Sequence, residues 1–158
     1  MSTIIPMLAT ALSLCEPFFE KETELYGFLD CDGGVAIPAK YHIAYDFTDG
    51  GIAAVLDKNG WYYISRTGDF VIRPKIFDNG PDYFSNGLAR YIEDDKYGFF
   101  DTSGRVVIEA QFEFAFPFED GKAKIGEDCQ FVSHGEHTVV ECETWSSVER
   151  PSSEDDSE

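Results

Sequence analysis

The sequence predicts an all-β fold of stacked antiparallel units, each made of three short strands. Three observations lead there. A phrase recurs: YGFLDCDGGVAIP (26–38) and YGFFDTSGRVVIE (97–109) agree at seven of thirteen positions, and WYYISRTGDFVIRP begins between them at Trp61, 35 residues after Tyr26 and 36 before Tyr97. The composition is rich in aromatics, with fourteen Phe, eight Tyr and two Trp, and such residues favour pleated, half-buried strands. Fourteen Gly and seven Pro supply the turns that many short strands need.

A period of about 36 residues marks a modular array. Tyr26, Trp61 and Tyr97 share one position, Gly33, Gly68 and Gly104 the next, and Ile37, Ile72 and Ile108 a third. A second phrase follows in each copy: FTDGGIAAV from Phe47, FSNGLARY from Phe84 and FEDGKAKI from Phe118, with Gly50, Gly87 and Gly121 recurring. WSSVER at Trp145 reads as a fourth start. LARYIE (88–93) alternates apolar and polar residues, as a strand with one buried face does. The stretches CDG, RTG and TSG each end in Gly, which tolerates the positive φ of a tight hairpin. One module cannot bury its own apolar face, so neighbours must stack and the ends need covers.

These elements set the expected boundaries. Residues 1–24 form an amino-terminal cap and linker. Within them Ile5, Leu8, Leu12, Cys15 and Phe19 fall at helical spacing, with Pro6 at the start and Pro17 at the exit, so a short helix is predicted over 6–16. The same apolar run lacks the positive start of a secretory signal, since the first base is Lys21. Residues 25–150 form the β-repeat domain, with a hairpin insert at 126–144 as the second cap. The tail 151–158 holds no apolar group and is expected to be disordered.

The repeated positions resemble those of the WG-repeat proteins, whose units pair a Trp-Gly step with a D-x-x-G turn, a V-I-P-like strand and an F-x-x-G-L-A phrase. Tyr26-Gly27, Trp61-Tyr62 and Tyr97-Gly98 occupy the step, Ile37-Pro38 the strand end, and Phe84, Gly87, Leu88 and Ala89 the last phrase. The resemblance covers roughly residues 25–125. It implies a β-repeat protein, mostly found in bacteria, with some members associated with toxin–immunity loci and no catalytic residues shared across the family.

Charge narrows the function. Thirty acids oppose twelve bases, a formal charge of −18, so the basic footprint of a nucleic-acid binder is missing and an acidic membrane surface is repelled. A basic protein is the expected partner. Acidic turns at Asp49, at Glu93, Asp94 and Asp95, and at Glu119 and Asp120 are expected to align along one edge, with Tyr83 and Tyr91 as aromatic anchors. Only three histidines are present, and neither a Gly-x-Ser-x-Gly elbow nor a phosphate loop occurs. The reading is therefore a non-enzymatic protein-binding module, in its sharpest form an immunity or inhibitor protein that neutralises a basic toxin.

Two constellations carry other chemistry. Cys129, His134, His137 and Cys142 have the donor types of a zinc site. The same residues also suit a plain hairpin with its cysteines facing, Phe131, Val139 and Val140 buried and the histidines at the turn, or a disulfide. A structural or sensor domain with zinc at this hairpin is thus the alternative function, and an envelope protein with a 129–142 disulfide a third. Without an export signal, four reduced cysteines in the cytoplasm are the expectation. DCDGG (30–34) opens like a calcium loop but lacks its later ligands, and its counterparts in the other copies make it a hairpin turn.

Overall fold

A computed structural model describes residues 13–152. Its contacts divide the chain into two compact units, Met1–Arg73 and Pro74–Glu158. Every strand pair is antiparallel, and no helix occurs among the described residues.

In the first unit, β1 (Leu14–Glu20), β2 (Leu25–Asp30) and β3 (Val35–Tyr41) form one sheet in that order, and β4 (Ile43–Ala44), β5 (Ile52–Asp57), β6 (Gly60–Ser65) and β7 (Phe70–Ile72) form a second. Leu14, Phe28, Tyr41, Ala53, Val55 and Ile64 make its core. In the second unit, β8 (Ile76–Phe77) and β9 (Gly80–Pro81) form a short ribbon. They are followed by the sheet of β10 (Leu88–Glu93), β11 (Lys96–Asp101) and β12 (Val106–Phe112), and by that of β13 (Phe114–Ala115), β14 (Lys122–His134) and β15 (His137–Glu149). Leu88, Tyr97, Phe99, Ile108, Phe118 and Ala123 lie in its core. Burying each large apolar side chain contributes about 1.5–3 kcal/mol, and Phe28, Phe99, Phe100 and Phe118 are fully enclosed.

The repeat seen in the sequence is a repeat of backbone hydrogen bonds. In the first turn the N–H of Asp30, Ser65 and Asp101 donates to the carbonyl of Gly34, Asp69 and Arg105, and the N–H of Gly33, Gly68 and Gly104 donates back to Asp30, Ser65 and Asp101. The leading side chain holds the turn as well: Asp101 Oδ1 accepts the N–H groups of Ser103 (2.9 Å) and Arg105 (3.0 Å), and Asp30 Oδ1 those of Asp32 (2.8 Å) and Gly34 (3.0 Å). DCDGG is therefore this turn. The three glycines sit at φ of 92°, 85° and 89°, where a side chain is strained. Beyond each turn, Ile37, Ile72 and Ile108 lie opposite Phe28, Tyr63 and Phe99. Tyr26, Trp61 and Tyr97 all stand on the middle strand of their sheets, as their common position requires.

The predicted amino-terminal helix is corrected where it can be seen. Leu14, Cys15 and Glu16 belong to β1, whose residues pair with β2 from Leu14↔Asp30 to Glu20↔Leu25. Residues 6–12 of that prediction lie outside the described residues. Apolar spacing over so short a window does not separate the two periods, and Pro17 is accommodated because β1 is an edge strand. Of the tail, Pro151 and Ser152 are exposed and outside any strand, and 153–158 lie outside the described residues.

Candidate functional site

The acidic turns do not form the expected single edge. Asp49 lies in the turn closed by Gly51 N–H on Thr48, and Glu119 and Asp120 in that closed by Lys122 N–H on Glu119. These turns precede β5 and β14, and their counterpart before β10 is Ser85–Leu88. Glu93, Asp94 and Asp95 instead lie at the far end of β10, Glu93 as its last residue, pairing with Lys96 across the turn. A six-residue strand puts about 20 Å between its two ends. Common acidity, not common backbone position, had grouped them. All six acids are exposed. Glu93 and Asp94 border a recess of about 450 Å³ with Lys96 and Glu109, while Glu119 and Asp120 border another of about 590 Å³ with Phe116, Lys122 and Lys124.

The two aromatic candidates differ. Tyr83 is 47% exposed and its ring meets that of Phe77 edge-on at 5.5 Å, beside exposed Ile76. Tyr91 is a core residue, 6% exposed. Its hydroxyl accepts the Ala110 N–H at 3.0 Å, and burial is the first cause of its raised pKa.

The hairpin insert is part of one long ribbon, with β14 and β15 in register from Lys122↔Glu149 to His134↔His137. Cys129 and Cys142 are directly opposite and joined by a disulfide. This corrects the zinc reading: both sulfurs are bonded to each other, and His134 and His137 lie five positions further along, about 17 Å away. Phe131 and Val139 are 61% and 43% exposed, so they are not the buried residues expected of the insert. At its base the Glu113 carboxylate accepts the N–H groups of Asp128 (3.0 Å) and Cys129 (3.1 Å), and these bonds lower its pKa. A second disulfide joins Cys15 of β1 to Cys31, the residue after β2, replacing the expected reduced thiols. It was illegible while Cys15 was read as helical. Thiol titration of the denatured chain is expected to find none free before reduction and four after it. Reduction of the 129–142 bridge, which spans 13 residues, is expected to cost about 2–3 kcal/mol of stability, read from the urea midpoint.

One buried charge pair escaped the sequence reading. Asp82 and Arg90 are 1% and 4% exposed and meet through two side-chain hydrogen bonds of 3.0 and 2.7 Å. Asp82 stands two residues before Phe84, where the other copies have Tyr45 and Phe116 before Phe47 and Phe118. Those two rings stack on Trp61 and Trp145 at 5.3 and 5.7 Å. An Asp in an aromatic slot was the available signal.

The family model for the WG containing repeat matches three tandem segments, residues 26–61, 63–97 and 97–128. The chain belongs to the WG containing repeat family. Comparison with curated proteins finds no match, and comparison with solved structures finds none. The geometry explains the second letter of the WG step in this chain. Gly27 and Gly98 lie beneath the third strand of their sheets; a Cβ on Gly98 would stand 2.6 Å from Ile108 O and Ala110 N, and one on Gly27 would collide with Ile37 O. There the third strands β3 and β12 run seven residues. The middle WG copy has Tyr62 instead, and its third strand β7 stops after three.

Proposed function

We propose that this WG containing repeat protein is a non-enzymatic module that binds a basic protein, and that it acts as an immunity or inhibitor protein masking a cationic toxin. One observation carries the reading: a formal charge of −18 on 158 residues, with its acidic turns exposed. Such a field attracts cationic partners and speeds their encounter. The exposed aromatic group of Phe77 and Tyr83 adds apolar area of the kind that anchors interfaces. The paired cysteines favour an oxidising compartment over the cytoplasm, because disulfides persist where glutathione does not reduce them.

The test is calorimetric titration with a cationic toxin candidate encoded beside this gene, repeated at rising salt. Affinity is expected to fall about tenfold or more from low to high ionic strength. Absence of binding, or binding indifferent to salt, removes the proposal.

A further inference from the structure

Three middle strands in this chain carry a third strand on their outer side: β2 carries β3, β6 carries β7 and β11 carries β12. The fourth, β15, carries none among the described residues. Sheet order β13-β14-β15 leaves it an edge of thirteen residues, nine of them exposed. Proteins ordinarily shorten or cover such edges.

The repeat fixes what belongs there. Ala53, Ala89 and Ala123 pair with Ile64, Phe100 and Val148, so Ser147 corresponds to Tyr63 and Phe99, and Trp145 to Trp61. Phe116 N–H donates to Lys124 C=O on the β13 side. Alternation then turns Ile125 and its partner Ser146 toward each other, and turns the backbone groups of Trp145, Ser147 and Glu149 to the open edge. In the complete copies an isoleucine, Ile72 or Ile108, sits opposite this position.

We propose that the open edge of β15 binds an extended basic segment of the partner protein as a third strand, with an isoleucine-like residue opposite Ser147; this rests on the protein-binding reading above. The template is β7. Position 146 is Ser, so the long strands that pass over Gly27 and Gly98 do not fit, whereas β7 ends at Ile72. The next residue, Arg73, then donates to the carbonyls of Trp61 (2.9 Å) and Asn59 (3.0 Å). At β15 the corresponding carbonyl belongs to Trp145. The ribbon from Lys122 to Arg150 holds Glu127, Asp128, Glu136, Glu141, Glu143 and Glu149 against Lys122, Lys124 and Arg150, with Lys124 Nζ 4.5 Å from the Trp145 ring. A cation following the isoleucine is therefore matched in position by that carbonyl, and in sign by the net acidity of the ribbon. A second copy of β15 is disfavoured, because an antiparallel pair centred on Trp145 would bring Glu141 of one copy opposite Glu149 of the other. The Cys129–Cys142 bridge ties β15 to β14 beside this segment, which lowers the ordering cost of strand addition.

The probe is a dye-labelled, capped peptide with the sequence of residues 68–75, Gly-Asp-Phe-Val-Ile-Arg-Pro-Lys, titrated with the whole chain. Saturable binding is expected, weakened about tenfold by N-methylation of the peptide's isoleucine and unchanged by N-methylation of the valine before it, whose amide points away. Ser147→Pro removes an outward N–H without touching the β14 ladder and is expected to abolish binding while preserving the circular dichroism spectrum. An unbound peptide, or one indifferent to N-methylation, overturns the proposal independently of how the Ser147→Pro chain folds. A cationic partner that binds wild type and folded Ser147→Pro equally overturns the edge but leaves the protein-binding reading standing; one that binds neither ends both. Sedimentation showing a wild-type dimer that Ser147→Pro dissolves assigns the edge to a second copy and overturns the proposal as well.

Discussion

Replacing Asp82 by alanine is expected to lower folding stability by about 3–5 kcal/mol, which is a large part of what a domain of this size possesses. The reason lies in what Arg90 loses. Its Nε and Nη2 donate to the two Asp82 oxygens at 3.0 and 2.7 Å, its backbone N–H donates to Oδ2 at 2.8 Å, and Nη1 donates to Ala115 C=O at 3.0 Å. Without the carboxylate, a guanidinium 4% exposed keeps one carbonyl and no counter-charge. Arg deprotonates too reluctantly to escape. Lys75 adds to the cost: burial first and the Arg90 charge second already lower its pKa, while Asp82 opposes them. The urea midpoint measures the loss, and the double substitution Asp82→Leu with Arg90→Met is expected to recover most of it, because removing both charges removes the desolvation as well. A cost below about 1 kcal/mol for Asp82→Ala, as for an exposed pair, would show that the pair is not sealed from water.

The same pair shows where sequence reading stopped. Internal repetition located the turns because each is held by local bonds that short stretches such as DTSG and FEDG encode by themselves, down to the positive φ of Gly33, Gly68 and Gly104. It located Ile37, Ile72 and Ile108 against the middle strands for the same reason. Tertiary exchange was less legible. Asp82 with Arg90 occupies a place that Tyr45 and Phe116 fill by stacking on tryptophan, and the sign of that swap is the Asp in the aromatic slot, visible only when the copies are aligned. Grouping turns by their acids misplaced Glu93, Asp94 and Asp95, since charge at an exposed turn is free to vary while strand ends are not. In the second phrase the positive φ belongs to Gly51, not Gly50, alongside Gly87 and Gly121, because the first copy carries one extra residue. The bridge from Cys15 to Cys31 required knowing that β1 is a strand.

Gly98→Ala is expected to destabilise the second unit by about 1–3 kcal/mol, at the upper end of that range. Three atoms surround the place a methyl would take: Ala110 N, Ile108 O and the Tyr91 ring, each at 2.6 Å. Two are backbone of β12, so relief means moving the strand rather than rotating a side chain. The third belongs to a buried ring whose hydroxyl is engaged by Ala110 N–H. That strand would peel from the point where Tyr97 pairs with Phe112, keeping its Ile108 end and so approaching β7, which pairs only through Tyr63 and Ile64. Hydrogen exchange separates this from general loss of stability: amides of residues 109–112 are expected to lose protection well before those of β10 and β11. Uniform loss across the sheet, or none, would mean that the glycine of the step is not what admits the long third strand, and the choice of β7 as the template for the open edge of β15 would lose its basis.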